Sequence, residues 1–212
     1  MKILVTAGPT REKIDPVRFI SNRSTGKMGY ALAEAALRRG CKVVLISGPV
    51  ALEAPAGATV IRVESAAEMA EAVKREAKTC DAVVMAAAVA DYRPALTSEH
   101  KLKKQPGGMI LQLERTEDIL AYLGENKRPG QLLVGFAAET EDLLANAADK
   151  LKRKNLDWIA ANTVENGFAA DTDTVTLLGK NGEVIPLPTA AKPEVAKMML
   201  DTILDRSEDI PR

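Results

Sequence analysis

The chain has 212 residues, and its 29 Lys and Arg residues balance its 29 Asp and Glu residues, so the formal net charge is zero. This balance excludes the broad basic surface on which nucleic-acid binding depends. No run of 18 apolar residues and no charged-then-apolar leader occurs, so we expect neither a membrane span nor a signal peptide, but a compact cytoplasmic protein. With His100 as its only histidine, the chain is not expected to carry a Ser-His-Asp triad or a histidine-rich metal site.

Predicted strands and helices alternate along most of the chain. Apolar runs predict strands at 3–5, 43–46, 59–63, 81–85, 131–136 and 157–161. Amphipathic runs predict helices at 30–39, 66–78, 141–154 and 192–204. This alternation predicts an α/β fold of the Rossmann-like kind, a doubly wound and mostly parallel sheet with helices on both faces.

The pattern changes near the C-terminal end. Predicted strands at 174–178 and 183–187 flank Asn181-Gly182, which predicts a β-hairpin appended to the sheet. We expect one domain over residues 1–206, followed by a frayed tail at 207–212.

A long loop, residues 8–29, joins the first predicted strand to the first predicted helix. In open α/β sheets ligands bind at the carboxyl ends of the strands, where this loop lies. Small hydrogen-bonding side chains come just before the helix, namely Ser21, Asn22, Ser24 and Thr25. Such groups at a helix N-terminus suit an anionic ligand.

The usual nucleotide-binding motifs are not present in this loop. Gly26-Lys27 is followed by Met28, where a Walker A motif requires Ser or Thr, and the glycines do not follow G-x-G-x-x-G. The second strand runs into 47–49, Ser-Gly-Pro, without the acidic residue that holds an NAD ribose. A nicotinamide-dependent oxidoreductase and a non-catalytic nucleotide sensor remain the two alternatives to a nucleotide-using enzyme.

Six motifs occur in a fixed order: TAGPTRE, DPVRFISNRSTGKMG, AAAVADYRP, KLKK, VGFAAET and KxxxKNLD. In these the chain resembles the phosphopantothenoylcysteine synthetase (phosphopantothenate–cysteine ligase) family, from residue 1 to about residue 200. The resemblance implies a ligase of coenzyme A biosynthesis that joins 4′-phosphopantothenate to L-cysteine, with CTP activating the carboxylate as an acyl-cytidylate. In many bacteria this unit is the second half of a bifunctional protein, after a flavin-dependent decarboxylase. We find no flavin half here and expect either a free-standing synthetase or an excised domain.

The resemblance also implies site residues and partners. Asn22 and Ala88 are expected to bind the acyl intermediate, and Lys101 to neutralise charge as the acyl phosphate forms. Mg²⁺ is expected through the triphosphate, near Asp91, and the family is homodimeric. The choice between CTP and ATP stays open from the residues, and we favour CTP. The residues implied to bind the nucleotide are Ala87, Ala88, Asp91, Lys101, Glu117, Asp118, Ile119, Leu120, Phe136, Lys150 and Lys154.

Several of these residues also have an ordinary structural interpretation. The segment from His100 to Gln105 is either a solvated charge run or a flap that closes over a triphosphate, with Lys103 and Lys104 as weaker candidates. Lys150 and Lys154, one helical turn apart, suit a helix dipole as well as a nucleotide. Phe136, placed at a predicted strand end, suits the core as well as a base. At 115–119 the chain lacks the proline that the family commonly has, which is predicted to loosen that turn.

Overall fold

The computed structural model describes residues 1–104, 106–139, 141–163 and 171–207. The strands are β1 (Lys2–Ala7), β2 (Arg11–Lys13), β3 (Phe19–Ser21), β4 (Lys42–Ser47), β5 (Thr59–Arg62), β6 (Ala82–Met85), β7 (Tyr92–Pro94), β8 (Leu113–Arg115), β9 (Leu132–Glu139), β10 (Trp158–Thr163), β11 (Thr172–Asp173), β12 (Thr176–Gly179), β13 (Val184–Pro186) and β14 (Ala190–Ala191). The helices are α1 (Lys27–Arg38), α2 (Ala66–Ala77), α3 (Ile119–Glu125), α4 (Leu143–Arg153) and α5 (Lys192–Ser207).

Eight of these strands form one sheet, in the order β13–β12–β10–β9–β6–β1–β4–β5. The six adjacent strands β10, β9, β6, β1, β4 and β5 are parallel to one another. β12 pairs antiparallel with β10, and β13 pairs antiparallel with β12. When these six strands are numbered by their order in the chain, their order across the sheet from β5 to β10 is 3-2-1-4-5-6, which is the order of doubly wound sheets. The predicted fold class, with its C-terminal hairpin, is confirmed. The strand order reverses between β1 and β6, and ligands bind at this switch point in such sheets.

Each face of the sheet has its own hydrophobic core. Ile3 and Val5 of β1 point to the face covered by α1 and α5, whereas Leu4 points to the face covered by α2, α3 and α4. This alternation follows from the two-residue period of a strand. It explains why the central strands are continuously apolar, because both of their faces are buried.

Several local features differ from the predictions, among them the end of the last helix, which reaches Ser207 rather than residue 204. Helix α1 begins at Lys27 rather than at residue 30, because Gly26 takes the left-handed conformation (φ 78°) that starts the helix. Strand β9 continues to Glu139 instead of ending at Phe136, because it stays paired with β10 to its end. The loop after β1 contains a short hairpin, β2–β3.

The structure also bears on the expected C-terminal tail and on the question of a membrane span. Residues 208–212 of the expected tail lie outside the described residues. Among the helices that the structure describes, none is both long and apolar enough to cross a membrane.

Candidate active site

The switch point is built by the loops that follow β1 and β6. The Ala88 N–H donates to Gly8 O at 2.9 Å, and Ala88 also forms a β-bridge with Pro9. The Ala87 N–H donates to Thr6 Oγ1 at 3.1 Å. These bonds fix the two loops against each other beyond the ends of their strands. A cavity opens on either side of the joined loops.

The larger of these two cavities, here the β6 cavity, has a volume of ≈ 530 Å³. It lies between the loop after β6, the start of α3 and the C-terminal part of α4. Its volume is in the range typical of small-molecule sites. Its lining includes all of the residues that the resemblance implied, except Lys101: Asn22, Ala87, Ala88, Asp91, Glu117, Asp118, Ile119, Leu120, Phe136, Lys150 and Lys154.

Asn22 connects the loop after β1 to this cavity. Its Nδ2 donates to Ala88 O at 3.1 Å and to Val89 O at 3.2 Å. Ser21, by contrast, is not aimed at a ligand, because its hydroxyl donates to Thr10 O at 2.8 Å. Of the four small polar residues before α1, Asn22 therefore lines the β6 cavity. Ser24 and Thr25 line the second cavity, which is described below.

The two lysines of α4 reach the cavity by different contacts. Lys150 Nζ donates to Phe136 O at 2.8 Å, whereas Lys154 Nζ pairs with Asp118 Oδ2 at 2.8 Å. Burial disfavours the charged form of Asp118, but the hydrogen bonds from Lys154 and from the Ala121 N–H outweigh it, so the pKa of Asp118 lies below its ordinary value. The cavity thus holds cationic groups beside an ionised carboxylate.

Helix α3, which the sequence analysis did not predict, begins where the family's proline is missing. Asp118 caps the helix by accepting a hydrogen bond from the Ala121 N–H at 3.0 Å. Glu117 forms an ion pair with Lys74 of α2, and the Thr116 N–H donates to Asp91 O at 3.0 Å. The segment 116–118 is therefore held by a helix cap, an ion pair and a backbone bond.

Lys101 is exposed and does not line the cavity. The segment that carries it lies against the β2–β3 hairpin, since the Leu102 N–H donates to Asp15 Oδ2 at 3.1 Å and Leu102 O accepts from Arg18 Nη2 at 2.9 Å. Gln105, the end of the expected flap, lies outside the described residues. His100 is exposed, as expected for a loop residue.

The smaller cavity, here the α1 cavity, has a volume of ≈ 150 Å³ and lies at the N-terminus of α1. It shares Ala87, Ala88 and Phe136 with the β6 cavity, so the two cavities are neighbours along one wall. Lys27 also lines the α1 cavity, and the sequence analysis missed three further polar residues: Asn162, Asp173 and Lys192. Of these, Asn162 lies near the carboxyl end of a predicted strand. Because ligands bind at such strand ends, this position could have marked Asn162 as a candidate site residue.

Asn162, Asp173 and Lys192 are buried, whereas Thr25, which also lines the α1 cavity, is exposed. Asn162 Nδ2 donates to the two carboxylate oxygens of Asp173 at 3.3 and 3.2 Å. Burial raises the pKa of the Asp173 carboxyl above its ordinary value, although the hydrogen bond from Asn162 acts against this. Burial also lowers the pKa of Lys192, and the negative charge of Asp173 partly offsets that effect. Opposite charges are thus held together in a small, partly apolar space.

The described part of the chain has no group of three or more His, Cys, Asp or Glu side chains placed to hold a metal ion. Of the carboxylates that line the β6 cavity, Glu117 and Asp118 form ion pairs, and Asp91 is exposed.

The chain is therefore a doubly wound α/β protein with two adjoining cavities at the switch point of its open sheet. Residues 1–206 match the family described as DNA/pantothenate metabolism flavoprotein C-terminal domain, and the chain belongs to this family.

Individual relatives agree with this assignment. The chain is 54% identical over 205 residues to the coenzyme A biosynthesis bifunctional protein CoaBC of Bacillus subtilis, covering 95% of this chain and 50% of that protein. It therefore spans about half the length of the curated relatives it matches. A solved structure of the C-terminal domain of a CoaBC protein is 48% identical with a TM-score of 0.85, covering 98% of this chain and 96% of that one. The DNA/pantothenate metabolism flavoprotein of Streptococcus pneumoniae is 27% identical with a TM-score of 0.83, covering 97% of this chain and 99% of that one.

Proposed function

We propose that this chain is a phosphopantothenate–cysteine ligase, which joins 4′-phosphopantothenate and L-cysteine into 4′-phosphopantothenoylcysteine in coenzyme A biosynthesis. The observation that carries the proposal is the convergence of residues on the β6 cavity. Asn22, the 87–91 loop, the start of α3 and the lysines of α4 are distant in sequence and line one cavity at the switch point. The similarity to CoaBC proteins over nearly the whole chain supports the same activity.

The β6 cavity is the proposed nucleotide site. Lys150 and Lys154 supply positive charge for a triphosphate, and the small side chains of Ala87 and Ala88 allow a ligand to approach the backbone. Asp91 is positioned for a ribose hydroxyl or for a cation on the phosphates. Mg²⁺, when bound with the nucleotide, would reduce the negative charge of the phosphates. No flavin is assigned to this chain.

The reaction proceeds in two steps. The carboxylate of 4′-phosphopantothenate attacks the α-phosphate of CTP, which releases pyrophosphate and leaves an acyl-cytidylate. The amine of cysteine then attacks the acyl carbon, and CMP departs as the amide forms. The first step is required because a free carboxylate is a poor acyl donor at neutral pH. The protein contributes mainly positioning and charge neutralisation, as in other reactions at phosphates.

Asn22 and Lys101 have separate roles in this scheme. Asn22, held on the carbonyls of Ala88 and Val89, orients the acyl intermediate for the second step. Lys101 neutralises charge while the acyl phosphate forms. Because it is exposed and does not line the β6 cavity of its own chain, we assign it to the site of a second protomer.

We propose a homodimer for this reason and for a second one. Large apolar side chains are exposed on the β2–β3 and β7–β8 hairpins and on the segment between β7 and β8, a surface typical of protein contacts. They are Val17, Phe19, Tyr92, Leu96, Leu102, Met109, Ile110 and Leu113. The remaining partner is a flavin-dependent decarboxylase, as a fused domain or a separate protein, in a cytoplasmic setting.

An assay of pyrophosphate release tests the proposal. The chain is incubated with 4′-phosphopantothenate, cysteine and either CTP or ATP. We expect pyrophosphate and amide product with CTP, and the ATP reaction measures the nucleotide preference. Tight nucleotide binding without pyrophosphate would instead identify a nucleotide sensor. Turnover of a nicotinamide cofactor would identify an oxidoreductase.

A further inference from the structure

The α1 cavity contains a buried polar group that the proposed nucleotide site does not use. Lys192 is 3% exposed, Asp173 is 1% exposed, and Asn162 is 5% exposed. They come from the start of α5, from β11 and from β10, and they line a cavity together with the N-terminus of α1. Buried charged groups are stabilised by charges of opposite sign, and this cavity brings an ammonium and a carboxylate side chain together at its wall.

The charges of this cavity fit a zwitterion better than a phosphate. Lys192 and the N–H groups of the first turn of α1 favour a carboxylate, because the first N–H groups of a helix have no partner within it. Asp173 favours an ammonium group and would repel a phosphate dianion, whereas Lys27, which also lines the cavity, pairs with Asp171. The volume of ≈ 150 Å³ is less than a third of that of the β6 cavity, which suits a small amino acid better than a nucleoside.

We propose that the α1 cavity binds the α-amino-acid cosubstrate, with its carboxylate on Lys192, its ammonium group on Asp173 and its side chain against Met28. The assignment rests on the proposed ligase function and specifies where cysteine enters the reaction. Asp173 and Lys192 lie outside the six sequence motifs on which the family resemblance depends, whereas Met28 and the N-terminus of α1 lie within one of them.

The position of the cavity fits the second step. Its wall at Ala87, Ala88 and Phe136 is also the wall of the β6 cavity, so an amine in one cavity lies beside an acyl group at the edge of the other. The ammonium group releases one proton to water, and the nitrogen lone pair forms the C–N bond. The C–O bond to the cytidylate breaks with its electrons on the departing CMP, and the second nitrogen proton is released to water.

A comparison of cysteine with cysteamine, which lacks the carboxylate, tests this assignment. If Lys192 binds the carboxylate, the wild-type protein prefers cysteine by kcat/KM, and Lys192→Met removes most of that preference. We expect the KM for cysteine to rise roughly 10- to 100-fold, as for the loss of a charge-assisted hydrogen bond. The burst of pyrophosphate from CTP and 4′-phosphopantothenate should be unchanged.

Lys197→Met is the matched control, because Lys197 is on the same helix but is exposed and pairs with Asp201 at 2.9 Å. It should leave the preference for cysteine unchanged. If Lys192→Met does not fold, Lys192→Gln keeps a polar group at this buried position and should shift the preference in the same direction.

Two results would overturn the assignment. An unchanged preference for cysteine in a folded Lys192 variant would show that the carboxylate binds elsewhere. A higher KM for 4′-phosphopantothenate with a lost pyrophosphate burst would assign the cavity to the phosphate. If the wild-type protein releases no pyrophosphate at all, the ligase function itself is wrong, and this outcome is distinct from the other two.

Discussion

Lys150 and Lys154 lie on the same face of α4 but make different contacts. They are one turn apart on α4, yet Lys150 donates to a backbone carbonyl of β9, whereas Lys154 neutralises the Asp118 carboxylate that caps α3. Lys152, between them, is exposed. The helix dipole would act on all three lysines alike, so the dipole alone does not account for the different contacts of Lys150 and Lys154.

We predict that Lys150→Ala and Lys154→Ala each weaken CTP binding, whereas Lys152→Ala does not. A charge-assisted contact to a phosphate in a desolvated site contributes roughly 1.5–3 kcal/mol. Isothermal titration calorimetry with CTP measures the change. Small and equal effects at all three positions would support the dipole interpretation instead.

Asn22→Asp should separate the two half-reactions. The replacement keeps the volume but exchanges an N–H donor, directed at the carbonyls of Ala88 and Val89, for a carboxylate that these oxygens repel. The acyl carbon is then misplaced, which is costly when reacting atoms must lie about 3–3.5 Å apart. Rapid-quench measurements should show a surviving pyrophosphate burst, little amide and a persistent acyl-cytidylate. Parallel loss of burst and amide would place Asn22 in the first step or in loop folding.

Lys101→Gln should slow pyrophosphate release much more than it weakens CTP binding, because a charge used mainly in the transition state affects turnover. Mixing this variant with Asn22→Asp tests whether Lys101 acts on the neighbouring protomer. If it does, mixed dimers contain one intact site, and activity returns above that of either variant alone. No recovery after subunit exchange would contradict action between protomers, and unchanged pyrophosphate release would return Lys101 to the solvated-run interpretation.

At the scale of elements, α3 and the end of α4 are in backbone contact. A Cβ added at Gly124 of α3 would lie 2.0 Å from Lys154 O, and Asn155 Nδ2 donates to Gly124 O at 2.9 Å. This close approach keeps Asp118 at the start of α3 within reach of Lys154. The glycine therefore sets the distance between two walls of the β6 cavity.

Gly124→Ala is predicted to lower the free energy of unfolding by roughly 1–3 kcal/mol, as overpacking commonly does. It should also weaken CTP binding, because α3 must move away from Lys154. Gly108→Ala is the control, since a Cβ there would have no neighbour within 4 Å. Denaturant unfolding measures both variants, and equal stabilities would show that the contact adjusts without cost.

A second contact between elements joins the β2–β3 hairpin to the segment that carries Lys101. The Asp15 carboxylate accepts hydrogen bonds from Arg18 Nε at 3.0 Å, from the N–H groups of Val17 and Arg18, both at 2.8 Å, and from the Leu102 N–H at 3.1 Å. The hydrogen bond from the Arg18 guanidinium, with these backbone N–H groups, holds the pKa of Asp15 well below its ordinary value, although burial acts in the opposite direction.

This low pKa predicts an acid-sensitive contribution to stability. A carboxyl group whose pKa is lowered by folding stabilises the folded state above its unfolded pKa, about 3.9 for aspartate, and loses that effect as the pH falls toward the folded value. Asp15→Asn should reduce stability at neutral pH and make stability less dependent on pH below about 4. Asp149→Asn, which removes an exposed ion pair with Arg153, should have little effect. Identical acid transitions in the wild type and Asp15→Asn would contradict the prediction.

At the scale of the whole molecule, the apolar periodicity predicts every parallel strand and four of the helices. It does not give the order of the strands, because pairing across the sheet leaves no local signal. It also misses α3, whose seven residues are too few for a clear helical period. The residues of the β6 cavity are predicted by resemblance, not by pattern. Asp173 and Lys192 are not predicted, because their charges suggest surface positions and only the folded chain buries them.

The central position of β1 in the sheet has a consequence for how the chain folds while it is being synthesised. β1 is the first strand of the chain, but its neighbour β6 ends only at Met85, so one edge of β1 stays open until that residue has left the ribosome. If β1 and β4 pair during this interval, they present an apolar ribbon with an unpaired edge, which is prone to pair with other chains. The edges of the finished sheet are β13, a strand of three residues that contains Pro186, and β5, a strand of four residues. A short edge strand with a proline resists such pairing. The longer apolar edge of β1 is therefore a feature of the growing chain, because β6 and β4 cover both edges of β1 in the folded protein.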